Sequence, residues 1–119
     1  MPENVPSGQA AAMITVVRVE AGETVVVCRG RLAAGATERF RCEMKGHAAS
    51  AKRLVLDLGE VTFMDSSGLG AVMAVYVSAR SSGCELRIIN LTKQVRELFR
   101  MTRVLTLFEP AGTHLMKLP

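Results

Sequence analysis

The order of apolar and polar positions along the chain predicts alternating strands and helices. β-Branched runs on either side of Gly22 predict a hairpin of two strands, and Gly30 is expected to end the second strand. The four-residue spacing of Ala36, Phe40 and Met44 predicts the first helix. The predicted elements, in order, are strands at 14–19 and 24–29, a helix at 34–51, a strand at 54–58, a helix at 66–82, a strand at 85–90, a helix at 92–102 and a strand at 105–108. This ββαβαβαβ order is typical of an α/β fold, in which crossover helices pack on one mixed β-sheet.

The stretch that follows Gly70 is ambiguous between a strand and a helix on local grounds. Val72 and Val75 favour a strand by intrinsic propensity. However, the apolar positions of this stretch also recur at helical spacing, Asp65 is a good N-cap, and Gly83 is a natural helix stop. We therefore interpret the stretch as a helix.

Length, charge and cysteine content narrow the class of protein. The 119 residues have the size of one domain, which we place at 13–119, after a loose N-terminal tail at 1–12. No uncharged apolar run reaches the roughly 18 residues that span a bilayer, and the first residues lack a signal peptide's basic start, so a cytoplasmic protein without a membrane span is expected. The net charge of +4 is dispersed and Trp is absent, which argues against a nucleic-acid partner. The three cysteines include no C-x-x-C pair and are typical of reduced thiols.

The segment with the most chemical information is Phe63-Met-Asp-Ser-Ser-Gly-Leu-Gly70, where a predicted strand passes into a predicted helix. Two hydroxyls lie there beside one carboxylate, at a helix start whose backbone N–H groups have no intrahelical partner. The simplest interpretation is structural, with Asp65 and Ser66 capping the helix.

This segment, with LVLDLGEV before it and NLTKQVRELFRMTRVLTLFE after it, resembles the STAS domain family, and within that family the bacterial anti-sigma factor antagonists. The resemblance runs from about Thr15 to Glu109. It implies a STAS-type mixed sheet with packed helices, and it supports a helix at 66–82. It also implies that the protein binds other proteins and is not an enzyme.

The resemblance further implies a phosphorylation switch. The first Ser of the string, Ser66, corresponds to the phosphoacceptor, and Ser67 is the second choice. The implied partners are an anti-sigma factor that is also a serine kinase of the GHKL type, and a PP2C-type phosphatase. The unphosphorylated protein would bind the anti-sigma factor and release it when phosphorylated. The expected partner-binding residues are Arg31, Leu32, Asp65, Ser67, Gly68 and Leu69.

Two features of the sequence bear on the partner surface. No charged residue occurs between Ser66 and Ala79, so the helix face with Gly70, Ala71, Ala74, Val75 and Ser78 is either an exposed docking face or is covered by another element of the chain. In addition, Ala33 stands where related domains commonly carry an acidic residue, and neighbouring Arg31 makes that loop more positive. A weak homodimer is left open.

Other functions have less support from the sequence. A dinucleotide site is excluded because Met73 takes the position that needs a small residue, and a receiver-type site at Asp57 lacks the acidic pair that holds magnesium. No spacing of His, Cys, Asp and Glu predicts a metal site, and no catalytic residue or cofactor is expected. The alternative to the antagonist is a non-phosphorylated STAS scaffold, or an accessory subunit of a signalling or lipid-transport complex.

Overall fold

The computed structural model describes residues 13–104, which form a four-stranded sheet and three helices. In chain order the elements are β1 (Ile14–Glu20), β2 (Glu23–Leu32), α1 (Thr37–Ser50), β3 (Arg53–Met64), α2 (Ser66–Ser82), β4 (Glu85–Ile89) and α3 (Lys93–Met101). The described part of the chain therefore has the order ββαβαβα, which confirms the first seven predicted elements. The predicted last strand at 105–108 and the tail at 1–12 lie outside the described residues.

The sheet has the spatial order β1-β2-β3-β4, with one antiparallel and two parallel pairings. Strands β1 and β2 form the predicted hairpin, in which Glu20 pairs with Glu23 across a two-residue turn at Ala21 and Gly22. Both turn residues have positive φ, 42° and 86°, which matches the right-handed twist of the two strands. Strands β2, β3 and β4 run parallel because helices connect them.

Two strands are longer than the sequence predicted. The expectation that Gly30 ends β2 is wrong, because the strand continues to Leu32. Gly30 has a φ of +102° and lies at a register shift between β2 and β3, so its backbone freedom bends the strand without ending it. Strand β3 likewise continues past 58, to Met64. Both strands therefore extend to the start of α2.

The core lies between the three helices and one face of the sheet. Alternate residues of the parallel strands face the helices, as expected for the period of two in a strand. Each fully buried aliphatic side chain contributes about 1.5–3 kcal/mol relative to exposure. The main contributors are Val26, Leu54, Leu56, Leu58 and Ile88 from the sheet, Phe40, Met44 and Ala48 from α1, Ala71, Val72 and Val75 from α2, and Val95 and Phe99 from α3.

Helix boundaries follow the predicted caps except in α1. Helix α2 begins after Asp65 and ends at Gly83, whose φ of 74° is left-handed, as the sequence predicted. Thr92 caps α3 by accepting the Val95 N–H at 3.3 Å, which was also predicted. Helix α1 starts three residues later than the sequence predicted, because the Ala36 N–H donates to the Ala33 carbonyl in a turn at Gly35.

Candidate functional site

The turn between β3 and α2 is organised by the side chain of Asp65. Its backbone is extended, and Oδ1 accepts the Gly68 N–H at 2.9 Å and the Ser67 hydroxyl at 2.6 Å. Its other oxygen, Oδ2, accepts the Ala34 N–H at 3.3 Å. One carboxylate therefore caps α2 and also holds the loop that leads from β2 to α1.

These hydrogen bonds keep the carboxylate ionised. The bond from the Ser67 hydroxyl, followed by the bond from the Gly68 N–H, lowers the pKa of Asp65 below its ordinary value. Burial acts in the opposite direction, but its effect is smaller. The start of α2 thus carries a fixed negative charge at neutral pH, next to both serines.

The two serines differ in their hydrogen bonds, although both are exposed. The Ser67 hydroxyl donates to Asp65, whereas the Ser66 hydroxyl makes no hydrogen bond with any residue in the described range 13–104. Ser66 therefore presents the hydroxyl that the Asp65 carboxylate does not engage at the start of the helix. The sequence alone did not separate the two residues on physical grounds.

Gly68 lies where α2 approaches the end of β2 most closely. A Cβ atom built on Gly68 would lie 2.0 Å from the Leu32 carbonyl oxygen and 2.9 Å from the Met64 Cγ. No side chain fits at that distance from a backbone atom, so glycine is required here by space. The first turn of α2 is consequently pressed against the end of β2.

Three of the predicted partner-binding residues are buried. Leu32 is 0% exposed, Leu69 is 6% exposed, and Gly68 lies beneath the turn. The interpretation of these three as surface residues is therefore wrong, because the strand and helix periodicities point them into the core. The exposed members of the predicted set are Arg31 and Ser67, and Asp65 is half-buried. The predicted phosphoacceptor, Ser66, is exposed beside them.

Arg31 lies on the exposed side of the end of β2. Its guanidinium stacks 4.6 Å from the ring centroid of Phe63, its partner in the parallel β2–β3 ladder. This cation–π contact holds the positive charge at the same end of the sheet as the start of α2. Phe63 was not singled out in the sequence, since only the register of the two strands brings it under Arg31.

The uncharged helix face is covered by the chain itself, not exposed. Ala71 and Val75 are buried in the core that α1 completes with Phe40 and Met44. The predicted docking face is therefore wrong in these positions, and the alternative of cover by another element is right. Apart from the serines at its two ends, the uncharged residues that α2 exposes are Gly70 and Val77, with Met73, Ala74, Tyr76 and Ser78 half-buried.

A side chain from α3 also reaches the turn. Gln94 Oε1 accepts the Met64 N–H at 3.0 Å, and Gln94 Nε2 donates to the Met64 carbonyl at 3.0 Å. Gln94 was not predicted as a functional residue. A polar residue just after the cap of a helix looks like an ordinary exposed position, and no sequence signal links it to residue 64.

Asp57 and His47, two further groups with possible chemical roles, have structural partners. Asp57 accepts hydrogen bonds from the Gly59 N–H and the Asn90 amide. His47 lies 3.3 Å from Glu43, which also accepts the Thr15 hydroxyl. The bond between Thr15 and Glu43 joins β1 to α1. No metal-binding cluster of His, Cys, Asp and Glu occurs between residues 13 and 104.

The buried thiol of Cys28 belongs to the core. Burial in the sheet, more than the charges of Glu43 and Asp57, raises the pKa of Cys28 to about 12. The thiol is therefore uncharged and poorly nucleophilic at neutral pH.

No helix within the described residues is long and apolar enough to cross a membrane.

Comparison with known proteins settles the family. The STAS domain family matches residues 14–115, nearly the whole chain. This chain belongs to the STAS domain family. A STAS-domain containing protein of Pseudomonas aeruginosa is 28% identical over 87 residues, which are 73% of this chain and 86% of that protein.

A second relative and a solved structure are also similar to this chain. The provisionally named anti-sigma factor antagonist BtrV of Bordetella bronchiseptica is 28% identical over 93 residues, covering 77% of this chain and 80% of BtrV. The structure of the unphosphorylated anti-sigma factor antagonist SpoIIAA superposes with a TM-score of 0.67 at 19% identity, covering 76% of this chain and 82% of SpoIIAA. The predicted STAS-type mixed sheet with packed helices is thus confirmed, and it matches the fold of SpoIIAA.

Proposed function

We propose that this STAS domain is an anti-sigma factor antagonist that binds its partner while Ser66 is unmodified and releases it once Ser66 is phosphorylated. The observation that carries the proposal is the exposed Ser66 hydroxyl, which makes no hydrogen bond within the described residues at the start of α2. The similarity to BtrV and to SpoIIAA supports the same class of partner.

The charge next to the serines favours Ser66 over Ser67 as the phosphoacceptor. The Ser67 oxygen lies 2.6 Å from Asp65 Oδ1, and a phosphate on that oxygen would replace a hydrogen bond by repulsion between two anions. A phosphate on Ser66 avoids this loss because its oxygen is not engaged by the carboxylate. Two unit charges of the same sign about 4 Å apart repel by about 1 kcal/mol in water and about 4 kcal/mol near a protein surface.

The same carboxylate limits how the folded protein can respond to a phosphate. The Gly68 N–H, which would be available to an anion at a helix start, already donates to Asp65. A Ser66 phosphate, with about −1.5 to −2 charges, is then directed outwards, where it repels a partner instead of reorganising the helix. We therefore expect phosphorylation to act on binding while the fold stays unchanged.

Arg31 adds a positive charge to the surface that carries Ser66 and the negative Asp65. It is exposed and held over Phe63, so it favours an acidic group on the partner and attracts a phosphate.

The proposed function is protein binding, and the chain is not an enzyme in this proposal. Its partners are a serine kinase of the GHKL type that is also the anti-sigma factor, and a PP2C-type phosphatase, acting in the cytoplasm.

The test compares a charged and a neutral variant of Ser66. Incubation with the GHKL-type kinases of the host, followed by mapping of the phosphate, identifies the partner and is expected to label Ser66. With that partner, Ser66→Glu should weaken binding by about tenfold to a thousandfold, because it places a charge beside Asp65 against the partner. Ser66→Ala, which keeps the surface neutral, should bind as the wild type does, and both variants should melt close to the wild type.

The alternative function predicts a different intact mass for the protein isolated from its native host. A non-phosphorylated STAS scaffold, or an accessory subunit of a signalling or lipid-transport complex, would show no added phosphate in the intact mass of protein from the native host, before or after phosphatase treatment. A mass that falls by one phosphate after that treatment excludes the alternative. Label confined to Ser67 would contradict the assignment of Ser66.

A further inference from the structure

Strand β3 continues beyond the strand that pairs with it on one side. The β3–β4 ladder ends where Asp57 pairs with Ile89, whereas β3 runs on to Met64. Backbone N–H and C=O groups on that edge of β3 have therefore lost their strand partner. Such groups need another partner when they lie near the core.

At Met64 the missing partner is replaced by a side chain. The Met64 N–H donates to Gln94 Oε1 and the Met64 carbonyl accepts from Gln94 Nε2, both at 3.0 Å. The N–H and C=O of one strand residue point to the same side, so a single amide group reproduces the pair of bonds that a neighbouring strand would supply. On its other side, Met64 pairs with Leu32 of β2.

Met64 directly precedes Asp65, and its position sets where the cap and the first turn of α2 begin. We propose that Gln94 is a positioning residue, which fixes the Asp65 cap and the Ser66 hydroxyl by holding the backbone of Met64. The importance of Ser66 rests on the function proposed above, whereas the link from Gln94 to the turn rests on the two hydrogen bonds alone. Through this link, α3 becomes part of the candidate switch.

Helix α3 does not need Gln94 for its own packing. Its buried residues are Val95 and Phe99, while Gln94 is exposed except where it meets Met64. A change at Gln94 is therefore expected to release the end of β3 and leave the helix in place. This separation makes the role of Gln94 testable apart from general stability.

The test uses two variants that remove different halves of the bidentate contact. Gln94→Met loses both bonds, whereas Gln94→Glu keeps an acceptor for the Met64 N–H and loses the donor to the Met64 carbonyl. Arg96→Ala is the matched control, because Arg96 is an exposed residue of the same helix. The measurement is NMR on the full chain, with amide hydrogen exchange and backbone carbonyl shifts.

In Gln94→Met, the Met64 amide is expected to exchange at least about tenfold faster, and the Ser66 and Ser67 amide signals should shift. In Gln94→Glu, the Met64 amide should stay protected while its carbonyl shift moves. The Leu56 amide in the centre of β3 reports on the whole fold and should exchange as in the wild type.

Two results would overturn the proposal. One is a Gln94→Met protein whose Met64, Ser66 and Ser67 signals match those of Arg96→Ala. The other is faster exchange that is equal at Met64 and Leu56, which would make Gln94 a residue of general stability. Neither measurement needs a kinase or a partner, so a failure to find phosphate on Ser66 would contradict the proposed function and leave this link standing.

Discussion

Helices α1 and α2 begin in contrasting ways, although both follow a strand of the same sheet. Helix α2 begins after Asp65, whose extended backbone and carboxylate satisfy the Gly68 N–H and also bind Ser67 and Ala34. Helix α1 begins after Ala36, which has helical backbone angles and no side-chain cap. The start of α1 is held by packing behind it, and the start of α2 by directed bonds at the terminus itself.

The difference indicates where the molecule needs a fixed geometry. Packing of Phe40 and Met44 tolerates small movements at the terminus of α1, because dispersion and hydrophobic forces are not directional. Hydrogen bonds to one carboxylate fix the first turn of α2 to within the narrow range of hydrogen-bond geometry. The candidate phosphoacceptor lies in the turn that is fixed in this second way.

The largest loss of stability is expected from adding a side chain at Gly68, where the start of α2 contacts β2. Gly68→Ala places a Cβ 2.0 Å from the Leu32 carbonyl oxygen, so the helix must move away from β2. We expect a loss of about 2–3 kcal/mol in the free energy of unfolding, measured by urea denaturation.

The control for Gly68 is the glycine two residues later. Apart from its chain neighbours and the backbone of its own helix, no atom of residues 13–104 lies within 4 Å of a Cβ built on Gly70, so Gly70→Ala meets open space in a helix interior. Alanine should stabilise the helix there by about 0.5–1 kcal/mol. Equal and small effects of the two substitutions would mean that α2 is not pressed against β2.

The next effect in size comes from removing the cap itself. Asp65→Ala deletes the acceptor of three hydrogen bonds, and a lost N-cap costs about 0.5–2 kcal/mol. Glu38→Ala is the matched control, because Glu38 is an acidic residue in the first turn of α1 whose ion pair with Arg41 is exposed. We expect less than about 0.5 kcal/mol for it in the same urea titration. A cost at Glu38 as large as that at Asp65 would remove the contrast between the two helix starts.

The helix caps were predicted from the sequence better than the contacts that other elements make with α2 and its first turn, for a physical reason. The capping bonds of Asp65, Gly83 and Thr92 reach residues at most four positions away, so the types and spacing of these residues are sufficient to predict the caps. The burial of Ala71 and the contact of Gln94 with Met64 depend on which elements meet in space. Neither an uncharged helix face nor a single glutamine indicates in the sequence which distant element packs against it.

The pH dependence of stability distinguishes the Asp65 carboxylate from an ordinary exposed one. Its pKa is lowered in the folded protein, chiefly by the Ser67 hydroxyl, so the ionised form is favoured by folding. The stability it contributes is fully present above its ordinary value of 3.8 and is lost as the pH falls through the lower folded value. The difference in unfolding free energy between the wild type and Asp65→Asn should therefore shrink over that acid range. A difference that stays constant from neutral pH down to the acid limit of the fold would show that the charge makes no contribution.

The smallest effect is expected from giving α1 the cap that it lacks. Ala36→Ser supplies a hydroxyl, but the residue has φ −113° and ψ −14°, whereas a capping side chain reaches the N–H groups of the first turn from an extended backbone. We therefore expect a gain below about 0.5 kcal/mol in unfolding free energy, less than a well-placed N-cap usually provides. A gain of about 1 kcal/mol or more would mean that the start of α1 readily adopts the extended geometry seen at Asp65. The two helix starts would then differ only in the residue present, and the directed bonds at α2 would not reflect a specially fixed turn.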